Sequence, residues 1–153
     1  RLKRSLGDAL NVDPRSIQGY MLGEHGDSQF AAWSTVRVLG QKADELVTNY
    51  HLDLDAVAND ARVGGFTVFS GKKYTNFAIA HAAVSLAQLV LSDTHNEAIV
   101  SHYDARFAGY ISTPAIIGRS GVVANFELTL TADEQRALQQ SANAIAEKTA
   151  AYL

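Results

Sequence analysis

Residues 77–91 constrain the fold more than any other part of the chain. They are apolar nearly all round, interrupted by His81, Ser85 and Gln88. The stretch is too short to span a bilayer, which takes about 20 apolar residues. A helix over 74–92, buried on most sides, is the expected outcome, because a helix apolar on every face has no surface to offer water. Other elements must then wrap around it. With 153 residues, 47% hydrophobic and 19% charged, the chain has enough apolar material to do this within one domain.

The remaining pattern supplies those elements. No Pro/Gly/Ser-rich linker, low-complexity run or internal repeat divides the chain, so a single domain over 1–153 is expected. Leu2, Leu6, Ala9 and Leu10 recur at helical spacing and predict a helix over 1–10. Asp13-Pro14 ends it, since a residue before proline avoids the helical region. That helical pattern is in register from the first residue, with no initiator Met, and sets the expectation of further chain upstream. Strands are predicted over 17–22 and 30–38, on either side of a glycine-containing loop at 23–27. Leu54, Val57, Ala58 and Ala61 mark a helix from about Asp53, which Gly64-Gly65 is expected to break or bend before Val68 and Phe69. Short strands follow at 98–101 and 110–112. A hairpin over 115–118 and 122–128 turns at Arg119-Ser120-Gly121, with Val122, Ala124, Phe126 and Leu128 on one face. Thr131 and Glu134 have capping-box spacing at the start of a last helix, whose stripe is Leu138, Ala142, Ile145, Thr149 and Tyr152. Strands and helices come in runs rather than in βαβ alternation, so the fold class is α+β. No G-x-G-x-x-G follows a strand, and the chain has no dinucleotide fingerprint of its own.

Charge and cysteine content exclude several functions. The net charge is −3, and no Lys/Arg cluster exists beyond Arg1, Lys3 and Arg4. That argues against a nucleic-acid partner or a membrane-binding face. Without cysteine there are no disulfides, thiolate metal sites or thiol nucleophiles, which fits a cytoplasmic protein. His51, His81, His95 and His102 lack metal-ligand spacing, and Asp93-x-His95 is too small a set for a metal site. His81, on the apolar helix, reads as a structural histidine satisfied within the core. Asp53, Asp55 and Asp60 read as a helix start and a solvated face.

Chemistry concentrates in Gly23-Glu24-His25-Gly26-Asp27-Ser28. Flanking glycines let the backbone around His25 approach a small ligand closely. An imidazole changes charge near neutral pH, so it can give and take a proton in the cell. The alternative is an ordinary loop histidine on a turn rich in glycine and acids.

The wider spelling decides between them. Tyr20-Met21-Leu22-Gly23-Glu24-His25-Gly26-Asp27-Ser28, followed by Trp33-Ser34, resembles the active-site histidine motif of L-lactate and related dehydrogenases. Arg1-Leu2-Lys3-Arg4 resembles that family's arginine helix, and Gly71-Lys72-Lys73-Tyr74-Thr75 its substrate-pocket helix. Pro114-Ala115-Ile116-Ile117-Gly118-Arg119 resembles its late hairpin, and 130–135 the start of its last helix. The resemblance covers essentially the whole chain, in order. It implies a C-terminal, substrate-binding domain with a twisted, largely antiparallel sheet and long helices, working with an N-terminal Rossmann NAD domain absent from this chain.

Residue roles follow only from the resemblance. His25 matches the catalytic proton donor, and Arg1 the arginine that grips the substrate carboxylate. A guanidinium suits that work because its planar fork makes two parallel charge-assisted hydrogen bonds. Thr75 matches a residue lining the substrate pocket, and Ile79 an apolar contact to the nicotinamide ring of the cofactor NAD. Read alone, Thr75 is a helix cap and Ile79 a core residue. The family's aspartate that orients the histidine lies three residues before Arg1, outside this chain, and the mobile substrate loop is outside it too. The fragment alone is therefore expected to be inactive. Small 2-oxo and 2-hydroxy acids are the implied substrates, and a homo-oligomer, commonly a tetramer, the implied assembly. Ala31-Ala32 before Trp33-Ser34, together with Gly64-Gly65-Phe66-Thr67-Val68, looks closer to L-2-hydroxyisocaproate dehydrogenases than to lactate dehydrogenases proper. A stand-alone interaction module without catalysis is the contrasting reading, although it leaves His25 and Arg1 without a purpose.

Overall fold

A computed structural model describes residues 1–150 and 152. Helix α1 (Leu2–Leu10) buries Leu2 and Leu6 of the predicted stripe together with Ser5, while Leu10 is half-buried and Ala9 exposed. It stops at Asn11, which adopts a left-handed conformation (φ 55°), while Val12 N–H donates to Gly7 O at 3.0 Å. A 3-10 turn over Pro14–Ser16, capped by the Asp13 side chain, leads into the first strand.

Strands β1 (Ile17–Leu22) and β2 (Phe30–Val38) pair antiparallel, with Ile17 opposite Val38 and Leu22 opposite Phe30. Their register shifts at Gly19, where φ is +143° and a Cβ would stand 2.8 Å from Val36 Cγ2. Only glycine allows this close approach. Helix α2 (Ala43–Tyr50) follows, an element the sequence reading misses. At eight residues it is too short to display a period, and only Ala43 and Leu46 are buried.

Helix α3 (Leu54–Lys72) starts at Asp53, whose carboxylate accepts from Ala56 N–H at 2.9 Å. It runs unbroken through Gly64-Gly65, contrary to the expected break. Helix α4 (Asn76–Ser92) also departs from expectation, because it has no buried residue. Phe77, Ile79, Val84 and Leu91 are all exposed, and so is His81. Its apolar character is real, but among the described residues nothing covers it. The satisfied structural histidine is instead His102, buried with Nδ1 3.2 Å from Val100 O and Nε2 3.4 Å from Thr113 Oγ1.

The second sheet has the order β3-β4-β5, with β3 Asn96–Asp104, β4 Gly109–Gly118 and β5 Gly121–Ala124, all antiparallel. β3 and β4 are longer than the short strands predicted, and the hairpin's second arm stops at Ala124 rather than reaching residue 128. Helix α5 (Ala132–Thr149) carries the predicted capping box: Thr131 Oγ1 accepts from Glu134 N–H at 3.2 Å, and Glu134 Oε2 from Thr131 N–H at 2.8 Å. Of its stripe, Leu138 and Ala142 are buried, and Tyr152 lies exposed beyond the helix end.

The architecture is α+β, as expected, with two hydrophobic cores that share the β1–β2 hairpin. Ile17, Val36 and Val38 pack with Leu2 and Leu6 of α1, Leu46 of α2, and Val57 and Ala61 of α3. Leu22 and Ala32 pack with Ile111 of β4 and with Leu138 and Ala142 of α5. A bridge between Gly23 and Ser112 and a 2.8 Å hydrogen bond from Tyr20 Oη to Glu97 Oε2 tie the two sheets together. The His25 loop leaves the molecule at that junction. Among the described residues, no helix is long and apolar enough to cross a membrane.

Candidate active site

A cleft of about 580 Å³ opens between α1, α3 and the start of α4. Arg1, Arg4 and Asp8 come from α1 and the residue before it, Asp60, Gly64 and Val68 from α3, and Thr75, Phe77 and Ala78 from the third side. Arg1 occupies the N-cap position of α1, and its carbonyl accepts from Arg4 and Ser5 N–H at 2.9 and 3.0 Å.

The side chain of Arg1 lies across the adjacent Gly64 and Gly65 of α3. A Cβ on Gly65 would come within 2.7 Å of both Arg1 Nη atoms, and one on Gly64 within 3.6 Å of its Cδ. This explains why α3 holds two adjacent glycines yet stays helical. Each costs about 1 kcal/mol relative to alanine in a helix interior, and in return the guanidinium can lie against bare backbone. The sequence pattern reads this pair as punctuation because the packing partner is more than sixty residues away.

Arg4 and Asp60 already have partners, while Lys72 also lines the cleft with its Nζ 5.5 Å from the Phe77 ring centroid. Arg4 Nε lies 3.5 Å from Asp8 Oδ2, and Asp60 Oδ2 accepts from Ser5 Oγ at 2.5 Å. Among the described residues, no carboxylate pairs with the Arg1 guanidinium. A cation held against backbone in a cleft that also presents Val68, Phe77 and Ala78 suits a small anionic ligand with an apolar remainder. Ser5 and Asp60 take part in this site without a sequence signal pointing to them, apart from Ser5 lying one turn beyond Arg1 on the same helix face.

Thr75 is the N-cap residue of α4, but its side chain makes no capping hydrogen bond and instead lines the cleft, half-buried. Arg1 and Thr75 thus meet in one site. Ile79 stands one turn further along α4, 65% exposed and outside the cleft lining, whereas its neighbour Ala78 lines it. His25 is exposed in the β1–β2 loop and also stands outside the lining.

The His25 loop is fastened to α5. Gly23 has φ +91°, a conformation that favours glycine, and a Cβ there would lie 2.5 Å from Ser141 Oγ. Glu24 N–H donates to Ser141 Oγ at 2.5 Å, and Ser28 Oγ donates to Glu24 Oε2 at 2.7 Å. Lys148 pairs with Glu24 Oε1. Lys148, then Ser28, hold the Glu24 carboxyl below its ordinary pKa. Gln29 Nε2 donates to Gly26 O at 2.7 Å and closes the far side. Among the described residues, no group of three potential ligands is placed to hold a metal ion.

Residues 1–151 match the α/β C-terminal domain of lactate/malate dehydrogenase, and the chain belongs to that family. It is similar to L-lactate dehydrogenase 1 of Lactobacillus acidophilus, 34% identical over 154 residues that cover 96% of this chain and 48% of the relative. An L-lactate dehydrogenase of Treponema denticola is 36% identical over 157 residues, covering 96% and 50%. Among solved structures, the minor L-lactate dehydrogenase of Enterococcus mundtii superposes with a TM-score of 0.88 at 28% identity, over 95% of this chain and 49% of that one. A lactate dehydrogenase of Eimeria maxima, solved with NADH and oxamate, shares the fold with a TM-score of 0.90 at 24% identity, over 99% and 48%. The chain spans about half the length of the curated relatives it matches.

Proposed function

We propose that this chain is the substrate-binding and proton-transferring part of an NAD-dependent L-2-hydroxy acid dehydrogenase. The observation that carries the reading is Arg1, a guanidinium free of carboxylate partners and set in a cleft with Thr75. Family membership and the His25 loop support it. In this reading Arg1 binds the substrate carboxylate through paired N–H donors, which fixes orientation as well as charge. His25, as imidazolium, gives its proton to the carbonyl oxygen during reduction. As neutral imidazole it takes the hydroxyl proton during oxidation. Thr75 borders the space left for the substituent on C2.

Bound NAD(H) supplies or accepts the hydride at that carbon. The chain fits such a cofactor in one respect, the apolar surface of α4 around Ile79 beside the cleft. It has no glycine-rich phosphate cradle, so the rest of the cofactor falls to an N-terminal NAD-binding half, which we also propose as the cover for α4. The half-length match to the relatives supports this division.

Pyruvate and lactate are the better supported substrate pair, since the relatives named above are L-lactate dehydrogenases. One observation favours a bulkier acid such as 2-hydroxyisocaproate: Gly64 lines the cleft without a side chain, and the nearest atom to where its Cβ would stand is Arg1 Cδ at 3.6 Å. The three carbons separating 2-oxoisocaproate from pyruvate are worth about 2 kcal/mol, roughly 30-fold, if all are buried. Assaying both 2-oxo acids with NADH on the intact enzyme decides between them by kcat/KM. In the same assay His25→Asn is expected to lower kcat by about 10²-fold or more, because asparagine cannot donate a proton at neutral pH. Near-normal kcat in that variant would remove His25 from the mechanism.

A further inference from the structure

The contacts at the neck of the His25 loop form a closed ring. Glu24 N–H donates to Ser141 Oγ, Ser141 and Ser28 Oγ lie 3.0 Å apart, and Ser28 Oγ returns to Glu24 Oε2. Ser28 spends its only hydroxyl proton on the carboxylate, so the proton between the two serines belongs to Ser141. Each hydroxyl then donates once and accepts once, and the ring runs in one direction from amide to carboxylate. Lys148 holds the other carboxylate oxygen from the last turn of α5.

The ring has no slack. Ser141 is fully buried at 0% exposure. Gly23 touches it from one side, where a Cβ would stand 2.5 Å from Ser141 Oγ. Gly26 presses on the other, where a Cβ would come within 2.9 Å of the Glu24 carboxylate. His25 lies between Glu24 and Gly26, so its backbone is held on both sides while its side chain stays exposed.

We propose that Ser141 is a positioning residue: it locks the loop to α5 and sets where His25 presents its imidazole. This rests on the reading of His25 as the proton donor. Arg1 sits on a different element and shares no partner with the ring. Loss of the lock therefore misplaces the proton donor and leaves the carboxylate grip intact, which is a kcat effect. A misplacement of about 1 Å at a reacting group can cost up to about 10²-fold in rate.

The test uses the intact enzyme carrying Ser141→Ala, Ser28→Ala, both together, Ser28→Thr, and Gln139→Ala as a control on the exposed face of α5. Each alanine variant of the ring is expected to lose about tenfold in kcat for 2-oxo acid reduction, with KM for the acid within about twofold of wild type. The double variant should be no slower than the worse single one, because residues acting as one ring are not additive. Ser28→Thr keeps a hydroxyl and should keep the rate. Independently of turnover, amide exchange at Glu24 should accelerate in Ser141→Ala while the protection of α1 stays unchanged. Unchanged kcat in Ser141→Ala beside an inactive His25→Asn overturns the positioning role alone. So do additive losses, a dominant rise in KM, or exchange that accelerates throughout the chain. An active His25→Asn enzyme overturns the functional reading beneath it.

Discussion

Arg1 and Gly65 form a pair in which one residue's freedom depends on the other's lack of a side chain. The guanidinium occupies the space a Cβ on Gly65 would need, at 2.7 Å. Alanine at this position meets only the far end of a flexible side chain, whereas a branched side chain must push the fork out of the cleft. Gly65→Val is therefore expected to raise KM for the 2-oxo acid by about tenfold, or ~1.4 kcal/mol of carboxylate binding. Steady-state kinetics of the intact enzyme would show this, with kcat changed less than KM. A KM equal to that of wild type would mean that the guanidinium does not need the glycine bed. Local residue types foretell the participants here but not the contact: a glycine pair looks the same whether it ends a helix or receives a side chain.

At the scale of elements, α5 holds the β1–β2 hairpin at both ends of the loop it carries. Ser141 and Lys148 fasten the His25 loop, while Glu134 reaches the strand that follows: its Oε1 accepts from Ser34 N–H at 2.9 Å and its Oε2 from Thr131 N–H. Burial raises the Glu134 carboxyl pKa, but the donors of Ser34 and Thr131 outweigh it, and the net value lies below the ordinary 4.5. A folded-state pKa that is depressed contributes stability above the unfolded value, and that stability is lost as pH falls through the folded one. Glu134→Gln removes one acceptor and turns an amide NH₂ towards the N–H of Ser34 or Thr131. It is expected to destabilise the chain by about 2 kcal/mol at neutral pH, the scale of a hydrogen bond to a charged group. The difference from wild type in urea melts should shrink as pH drops below 4.5. A pH-independent difference would place the effect in packing instead. The capping box itself is legible from Thr131 and Glu134, three residues apart. Its second use, gripping β2 from a hundred residues away, is not.

At the scale of the whole molecule, apolar side chains of α3 and α4 stand uncovered among the described residues. Phe66 of α3 and Phe77, Ile79 and Leu91 of α4 are between 65% and 76% exposed, and α4 has no buried residue. Large apolar side chains left exposed in such number are characteristic of interaction surfaces. The isolated 153-residue chain is expected to bind a hydrophobic dye or to self-associate in sedimentation experiments. It should also fail to oxidise 2-hydroxy acids with NAD. Turnover by the isolated chain would remove the need for a separate cofactor-binding half. In the intact enzyme, dye binding should disappear and the assembly should sediment as a homo-oligomer, with a tetramer expected.

The sequence by itself determined α1, β1 and β2 nearly to the residue, the start of α5, the glycine-flanked loop that presents His25, and the α+β class. These depend on neighbours within one or two turns: the period of apolar side chains, a proline, a capping pair. Tertiary structure alone decided the rest. It turned Gly64-Gly65 from a helix breaker into the bed of Arg1, made Thr75 part of a cleft rather than a cap, left α4 uncovered, and brought Ser141 to an amide 117 positions away. Each of these is a contact between segments that share no local pattern. Its energy exists only once the two cores have closed around the β1–β2 hairpin and fixed which surfaces face each other.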